Sequence, residues 1–316
     1  MPLTLDQYAT HLDGRGLPWP AMPPVEVPKV KPHLPKLTGI RAIWWNVYGT
    51  LLAIPEGELK FEVANDFIVG VALEKTIHEF KMWGSMSRKP GQPSEYMREI
   101  YRKVVAELRL APSPGEKYPE LLAEKIWESI LKKLSQKDYK FDASFFGSLD
   151  DYARKIAYFF HASLQGTGCY EGAANLLGQL EQQSIAQGLL ADGQCFTVVQ
   201  LARGLTKQDE TSNVEKLFPS AQRFLSFSQK GRKPSDALFG SAIEALGEKG
   251  YEANEILHVG SNLTRDIAPA KKWGMKTALF AGDRASLAAT AEQLKDPQYR
   301  PDALLTELAQ VALLLG

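Results

Sequence analysis

Cysteine is almost missing from this chain: Cys169 and Cys195 are the only two in 316 residues. That is too few for a disulfide framework or a thiolate zinc site. A charge surplus is missing as well, because 37 Lys plus Arg balance 37 Asp plus Glu. A nucleic-acid binder normally needs a basic excess to displace counterions, so that class is excluded. No run approaches the ~18 apolar residues that cross a bilayer. The opening stretch Met1–Gly16 holds Asp6, His11, Asp13 and Arg15 rather than an apolar leader. What is present is 44% hydrophobic and 10% aromatic residues, sufficient for a real core. At ~150 residues per domain the length suggests about two domains. The expectation is a soluble, cytoplasmic, two-part globular protein without nucleic-acid or membrane partners.

Proline is unevenly spread. Eight of the 19 fall before residue 38 (Pro2, Pro18, Pro20, Pro23, Pro24, Pro28, Pro32, Pro35). Residues 1–37 therefore read as a proline-rich arm without regular helix, packed in extended form on the domain through Trp19 and Val25. The apolar run Ile40–Trp45 predicts a buried strand opening into the loop Asn46-Val47-Tyr48-Gly49-Thr50. Trp44 and Trp45 are expected to pack on opposite faces of that strand.

Helical spacing then takes over. Four stripes follow: Phe61, Ala64, Ile68 and Val71; Ile100, Tyr101, Val104, Val105 and Leu108; Leu122, Ile126, Trp127, Ile130 and Leu134; Tyr152, Ile156, Phe159 and Phe160. From about residue 170 strands alternate with helices again. Strands are expected at 188–191, 224–227, 256–259 and 276–280, with helices at 173–183, 196–205, 235–246 and 266–273. The reading is an α/β protein, a Rossmann-like doubly wound parallel sheet with an inserted all-helical cap domain. The core covers 38–54 and 166–316 and the cap 55–165. The insertion follows the first strand at its carboxyl end, where ligands bind in such sheets, so the cap is placed as a lid.

Four strand-end segments carry the chemistry: Asn46-Val47-Tyr48-Gly49-Thr50-Leu51, Leu190-Ala191-Asp192-Gly193, Arg232-Lys233-Pro234 and Val259-Gly260-Ser261-Asn262-Leu263-Thr264-Arg265-Asp266. Their order resembles the four motifs of the haloacid dehalogenase-like (HAD) hydrolase superfamily, over about residues 38–316. The resemblance implies phosphoryl-transfer or dehalogenation chemistry through a covalent aspartyl intermediate. It also implies a lysine that offsets negative charge, a hydroxyl that holds the transferring group and, in phosphatases, carboxylates that bind Mg²⁺.

Matched residue by residue, most of that chemistry is missing. The nucleophile position is Asn46, the second position Tyr48, the hydroxyl position Ala191 and the first motif-four carboxylate Ser261. Lys233, Asp266, Gly49 and Thr50 stand as the family has them. An amide oxygen is a far poorer nucleophile than a carboxylate, and loss of a nucleophile costs on the order of 10⁴ to 10⁶ in rate. The losses also balance in charge. Three carboxylates, Mg²⁺ and a lysine sum to zero in the family; Asp266 and Lys233 sum to zero here without a metal.

Tyr48 and the pair Ser261-Asn262 resemble the metal-free dehalogenase branch, which still requires the aspartate that Asn46 replaces. The implied reading is an impaired HAD-like protein that binds a small anionic ligand, phosphate- or carboxylate-bearing, between core and cap. Asn46, Tyr48, Lys233 and Asp266 stand at the catalytic positions. Gly49, Thr50, Ala191, Asp192, Gly193, Ser261 and Asn262 line the ligand. No cofactor is expected, with Mg²⁺ needed only by the alternative, an active hydrolase using Asp266 or Asp192 to activate water.

Other residues read more simply. Asp192 is expected to cap the helix after it, Gly193 to open backbone N–H groups to an anion. His258 is expected to be a hydrogen-bonded strand residue. Cys169 and Cys195 read as buried side chains. Arg88 and Lys89 in the insert, and Arg265 beside Asp266, are basic groups within reach of a ligand or of solvent.

Overall fold

A computed structural model describes residues 1–86, 91–111 and 113–316, so Arg88 and Lys89 lie outside the described residues. Among the described residues eight strands form: β1 (Ala42–Trp45), β2 (Leu52–Ala53), β3 (Gly168–Cys169), β4 (Ala186–Ala191), β5 (Arg223–Leu225), β6 (Ile256–Gly260), β7 (Lys276–Phe280) and β8 (Ala303–Leu305). Six of them make one sheet in the order β5-β4-β1-β6-β7-β8, with every pairing parallel.

All four residues of β1 are fully buried, as a central strand covered on both faces requires. Trp44 and Trp45 point to opposite faces. Trp45 joins the core under the helices Ala173–Gln182 and Thr197–Thr206, and Trp44 the core under Asp236–Gly247. Gly188 pairs with Trp44 across the sheet, and a Cβ there would collide with the indole ring. The chain winds one way from β1 through β4 to β5, and the other way through β6 to β8. The crevice at the carboxyl end of β1 is therefore the switch point of the sheet.

The chain leaves and re-enters this core through one short antiparallel pair, β2 with β3, in which Leu52 faces Cys169. Between them lies the cap, built on helices Asp66–Glu79, Pro93–Arg109, Ala123–Ser135 and Leu149–Leu164. Its centre is aromatic. The rings of Tyr101, Trp127 and Phe160 sit with centroids 4.9 to 5.8 Å apart, in tilted and edge-on arrangements that suit aromatic quadrupoles.

Several expectations need correction. The arm is not free of helix: Leu5–Asp13 is α-helical, with Thr4 and Gln7 forming a capping box. The prolines spare this segment, and Tyr8 and Leu12 are buried in the cap's own core. Trp19 does anchor the arm, edge-on to Phe159 at 5.2 Å, but Val25 is exposed.

The first cap stripe is displaced. Its helix begins only at Asp66 and buries Val69, Ala72, Leu73 and Ile77, while Ile68 faces solvent. The helix expected at 266–273 is a π-turn over Leu263–Ile267 followed by Ala268–Lys272, a break that places Asp266 inside the turn. Strand β8 was not expected; three residues are too few to show a period. Among the described residues no helix is long and apolar enough to cross a membrane.

Candidate active site

The loop after β1 closes tightly. The amides of Thr50, Leu51 and Leu52 all point to the Val47 carbonyl, and Gly49 takes a left-handed φ of 77°. A Cβ at Gly49 would stand 2.9 Å from both the Gly57 carbonyl oxygen and Ser261 Oγ, so only glycine lets the neighbouring loops approach.

This turn aims the Asn46 side chain into the crevice. Asn46 Nδ2 donates to the Tyr48 carbonyl at 2.8 Å and to Thr50 Oγ1 at 3.3 Å. Asn46 Oδ1 accepts from Lys233 Nζ at 2.7 Å. Lys233, just ahead of the helix Asp236–Gly247, also forms an ion pair with Asp266. All three side chains are more than nine-tenths buried.

Asp266 is held on both oxygens. One meets Lys233; the other accepts the backbone amides of Ser261 at 2.9 Å and Asn262 at 3.0 Å. Burial alone would raise its pKa, but the Lys233 ammonium and the hydrogen bonds outweigh it and hold the carboxyl below the ordinary value of 3.8. Gly260 makes room for this arrangement, since a Cβ there would overlap the Asp266 side chain.

Asn46, Lys233 and Asp266 are thus brought into one hydrogen-bonded unit, with Thr50 and Ser261 against it. Other expected residues serve elsewhere. The Tyr48 hydroxyl is 2.9 Å from Thr197 Oγ1 and donates to Gln200 Oε1 at 2.6 Å, and burial pushes its pKa far up. Ala191 ends β4 fully buried, and Asn262 caps the π-turn by accepting the Thr264 and Arg265 amides.

Asp192 does not cap the following helix. It accepts the Lys233 backbone amide at 2.7 Å and pairs with Arg265, which reaches on to Glu58 at 3.0 Å. The Gly193 amide is not open to a ligand, because it donates to Ser226 Oγ at 2.9 Å. His258 is fully buried in β6, edge-on to Phe239 at 6.0 Å, and burial lowers its pKa to about 4. Cys169 is buried, but Cys195 is only partly so.

The crevice opens into a cleft of about 500 Å³ between core and cap. Six carboxyl groups and five cationic side chains line it, and the cations are engaged. Lys60 pairs with Glu56, Arg109 with Glu62, Arg265 with Asp192 and Glu58, and Lys233 with Asp266. Arg232 stands 3.9 Å from Glu120.

Sequence reasoning missed Glu120 and Ser226. Glu120 comes from the cap and receives the Ser226 hydroxyl deep in the cleft. Burial pushes its pKa up to about 7, although Ser226 and Arg232 pull it down. Nothing in its local sequence signals this; it follows from where the cap loop lands.

The donor set does not fit the Mg²⁺ of HAD phosphatases. Asn46 and Ser261 offer neutral oxygens, and Asp266 is saturated by an ammonium and two amides. Magnesium binds weakly to so few free carboxylates. Among the described residues no group of three or more His, Cys, Asp or Glu side chains is arranged to hold a metal ion.

Comparison with known proteins agrees with the fold. Residues 231–311 match a family model described as HAD-hydrolase-like. A 2-haloacid dehalogenase from Pseudomonas syringae pv. Tomato DC3000 superimposes with a TM-score of 0.52 at 19% identity, covering 87% of this chain and 97% of that one. A HAD phosphatase from Thermococcus onnurineus covers 88% of this chain and 98% of its own at 16% identity, with a TM-score of 0.48. No curated protein sequence matches the chain. The likeness shows a HAD-like fold.

Proposed function

We propose that this chain is a catalytically impaired HAD-like protein, a cytoplasmic pseudoenzyme whose cleft binds a small anionic molecule without forming a covalent adduct to it. The observation that carries the reading is the amide of Asn46 at the nucleophile position, its oxygen bound to Lys233 and its nitrogen to the loop backbone. A carboxylate there would carry a full negative charge toward an electrophile. The neutral amide carries none, and its oxygen already accepts a proton donor.

The ligand's charge is inferred from Lys233 and Arg232, which face the cleft together. Arg232 is the looser of the two, 40% exposed and 3.9 Å from Glu120. An incoming phosphate or carboxylate would compete with Glu120 for Arg232 rather than with Asp266 for the buried lysine. The cytoplasmic placement rests on the two unpaired cysteines. The test is turnover of a generic phosphoester and of a 2-haloacid, with and without Mg²⁺. The reading expects no turnover above the uncatalysed rate; robust turnover of either would overturn it.

A second reading, a hydrolase with rearranged chemistry, is favoured by Glu120 alone. Asp266 is tied to Lys233 and two backbone amides, and Asp192 to Arg265 and the Lys233 amide. Glu120 has a pKa of about 7, suited to proton transfer near neutral pH. This reading expects a hydrolysis that Glu120→Gln abolishes and Asn46→Ala leaves in place.

A further inference from the structure

The amino-terminal segment touches cap, hinge and core, and its helix Leu5–Asp13 already meets the core at Arg203, which donates to the Ala9 carbonyl at 3.1 Å and pairs with Asp13. On the cap, Tyr8 and Leu12 are fully buried among cap side chains, Lys75 Nζ donates to the Pro18 carbonyl, and Trp19 meets Phe159. At the hinge the segment presses on the linker by which the chain returns to the core. A Cβ at Gly166 would collide with the Ala21 carbonyl, and one at Gly168 with the Met22 side chain. On the core, Arg284 N donates to the Glu26 carbonyl at 2.7 Å. His33 and Leu304 exchange two backbone hydrogen bonds of 2.9 Å, which cover the sheet edge at β8, and Leu37 N reaches the Leu314 carbonyl.

We propose that this segment is an intramolecular strap that holds the cap closed on the core. Only seven Cα–Cα steps separate Trp19 from Glu26, which makes the next core hydrogen bond after those of Arg203 to the Ala9 carbonyl and Asp13. At full extension they reach roughly 25 Å. Pro20, Pro23 and Pro24 stiffen this stretch, so it has little slack to release when the cap tilts away.

The glycines point the same way. A hinge must change its backbone angles to open, and the backbone at Gly166 and Gly168 is overlaid by the strap with no room for even a methyl group. On the opposite side of the cleft a second seam closes in register. There Pro119 and Gly231 form an antiparallel bridge, Glu120 N donates to the Lys230 carbonyl at 3.1 Å, and Arg232 N donates to the Tyr118 carbonyl at 2.7 Å. Because these two amides donate from one domain to the other, they report directly on cap opening.

The test slackens the strap without removing it. Eight Gly/Ser residues are inserted between Pro24 and Val25 in the full chain carrying Arg203→Ala, which also frees Ala9 and Asp13 from the core, with Arg203→Ala alone as the reference, and amide hydrogen exchange is followed by mass spectrometry. The strap predicts that the 118–121 and 230–233 segments exchange about tenfold faster or more, with helix Leu149–Leu164 and strand β6 unchanged. A second variant, Gly166→Ala, displaces the strap at the hinge and is expected to give the same pattern more weakly. Unchanged exchange across the seam in the insertion variant would overturn the proposal. So would equal acceleration everywhere, which would make the segment a contributor to folding alone.

Discussion

Lys233 Nζ lies 2.7 Å from Asn46 Oδ1 while pairing with Asp266, so one buried ammonium joins the loop after strand β1 to the π-turn after β6. The amide at 46 lets the lysine be neutralised by a single carboxylate. Restoring acids at both altered positions, Asn46→Asp with Ser261→Asp, places three carboxylates around one lysine and leaves the cluster at −2. That excess calls for a divalent cation. Calorimetric titration is expected to show no saturable Mg²⁺ binding to the native chain and clear binding to the double variant. Equal binding by both would contradict the charge argument.

Removing one member of the buried pair is costly, because the other is left charged in a low-dielectric site. Lys233→Ala is expected to destabilise the fold by about 3–5 kcal/mol. Lys233→Met combined with Asp266→Asn removes both charges and is expected to lose clearly less. Urea midpoints of the three proteins decide this. A double variant at least as damaged as Lys233→Ala would contradict it.

Asp266 and Glu120 respond to pH in opposite senses. Asp266 is held below its unfolded value of 3.8, so it stabilises the fold above that value and loses its contribution as pH falls through its folded pKa. Glu120 rises from 4.5 to about 7. In that window the folded state binds more protons than the unfolded one, so stability falls as pH rises from about 4.5 to 7. Glu120→Gln is expected to flatten this slope, read from unfolding free energies across pH 4.5 to 7.5. An unchanged slope would place the effect in another group.

Gly260 is needed by the site rather than by the strand. Gly260→Ala would push a methyl group into the Asp266 side chain. The expected cost is about 1–3 kcal/mol, the scale of overpacking in a tight core. Gly247→Ala, where no atom lies within 4 Å of the new Cβ, should be neutral or mildly stabilising. Similar losses at both positions would mean that crowding at Asp266 is not the cause.

The strand-end motifs were legible because each depends on a few neighbouring residues. A buried apolar run into Asn46–Thr50, or a glycine before Ser261–Asp266, sets a turn almost locally. The helical stripes over Ile100–Leu108 and Leu122–Leu134 were legible for the same reason. What stayed hidden depends on distant partners. Strand β8 has three residues and is defined by its pairing with β7. The helix Leu5–Asp13 is stabilised by a cap core assembled far along the chain. Asp192 looked like a helix cap, yet Arg265, 73 residues away, claims its carboxylate. Glu120 owes its raised pKa to burial that cap docking produces.

The central claim is that no covalent adduct forms at residue 46. Intact-mass and peptide-level mass spectrometry of the native chain, after incubation with a reactive phosphate mimic and separately with a 2-haloacid, tests it directly. The unmodified mass and an unaltered Asn46 peptide are expected under both conditions. A phosphoryl or alkyl adduct mapped to that peptide would contradict it.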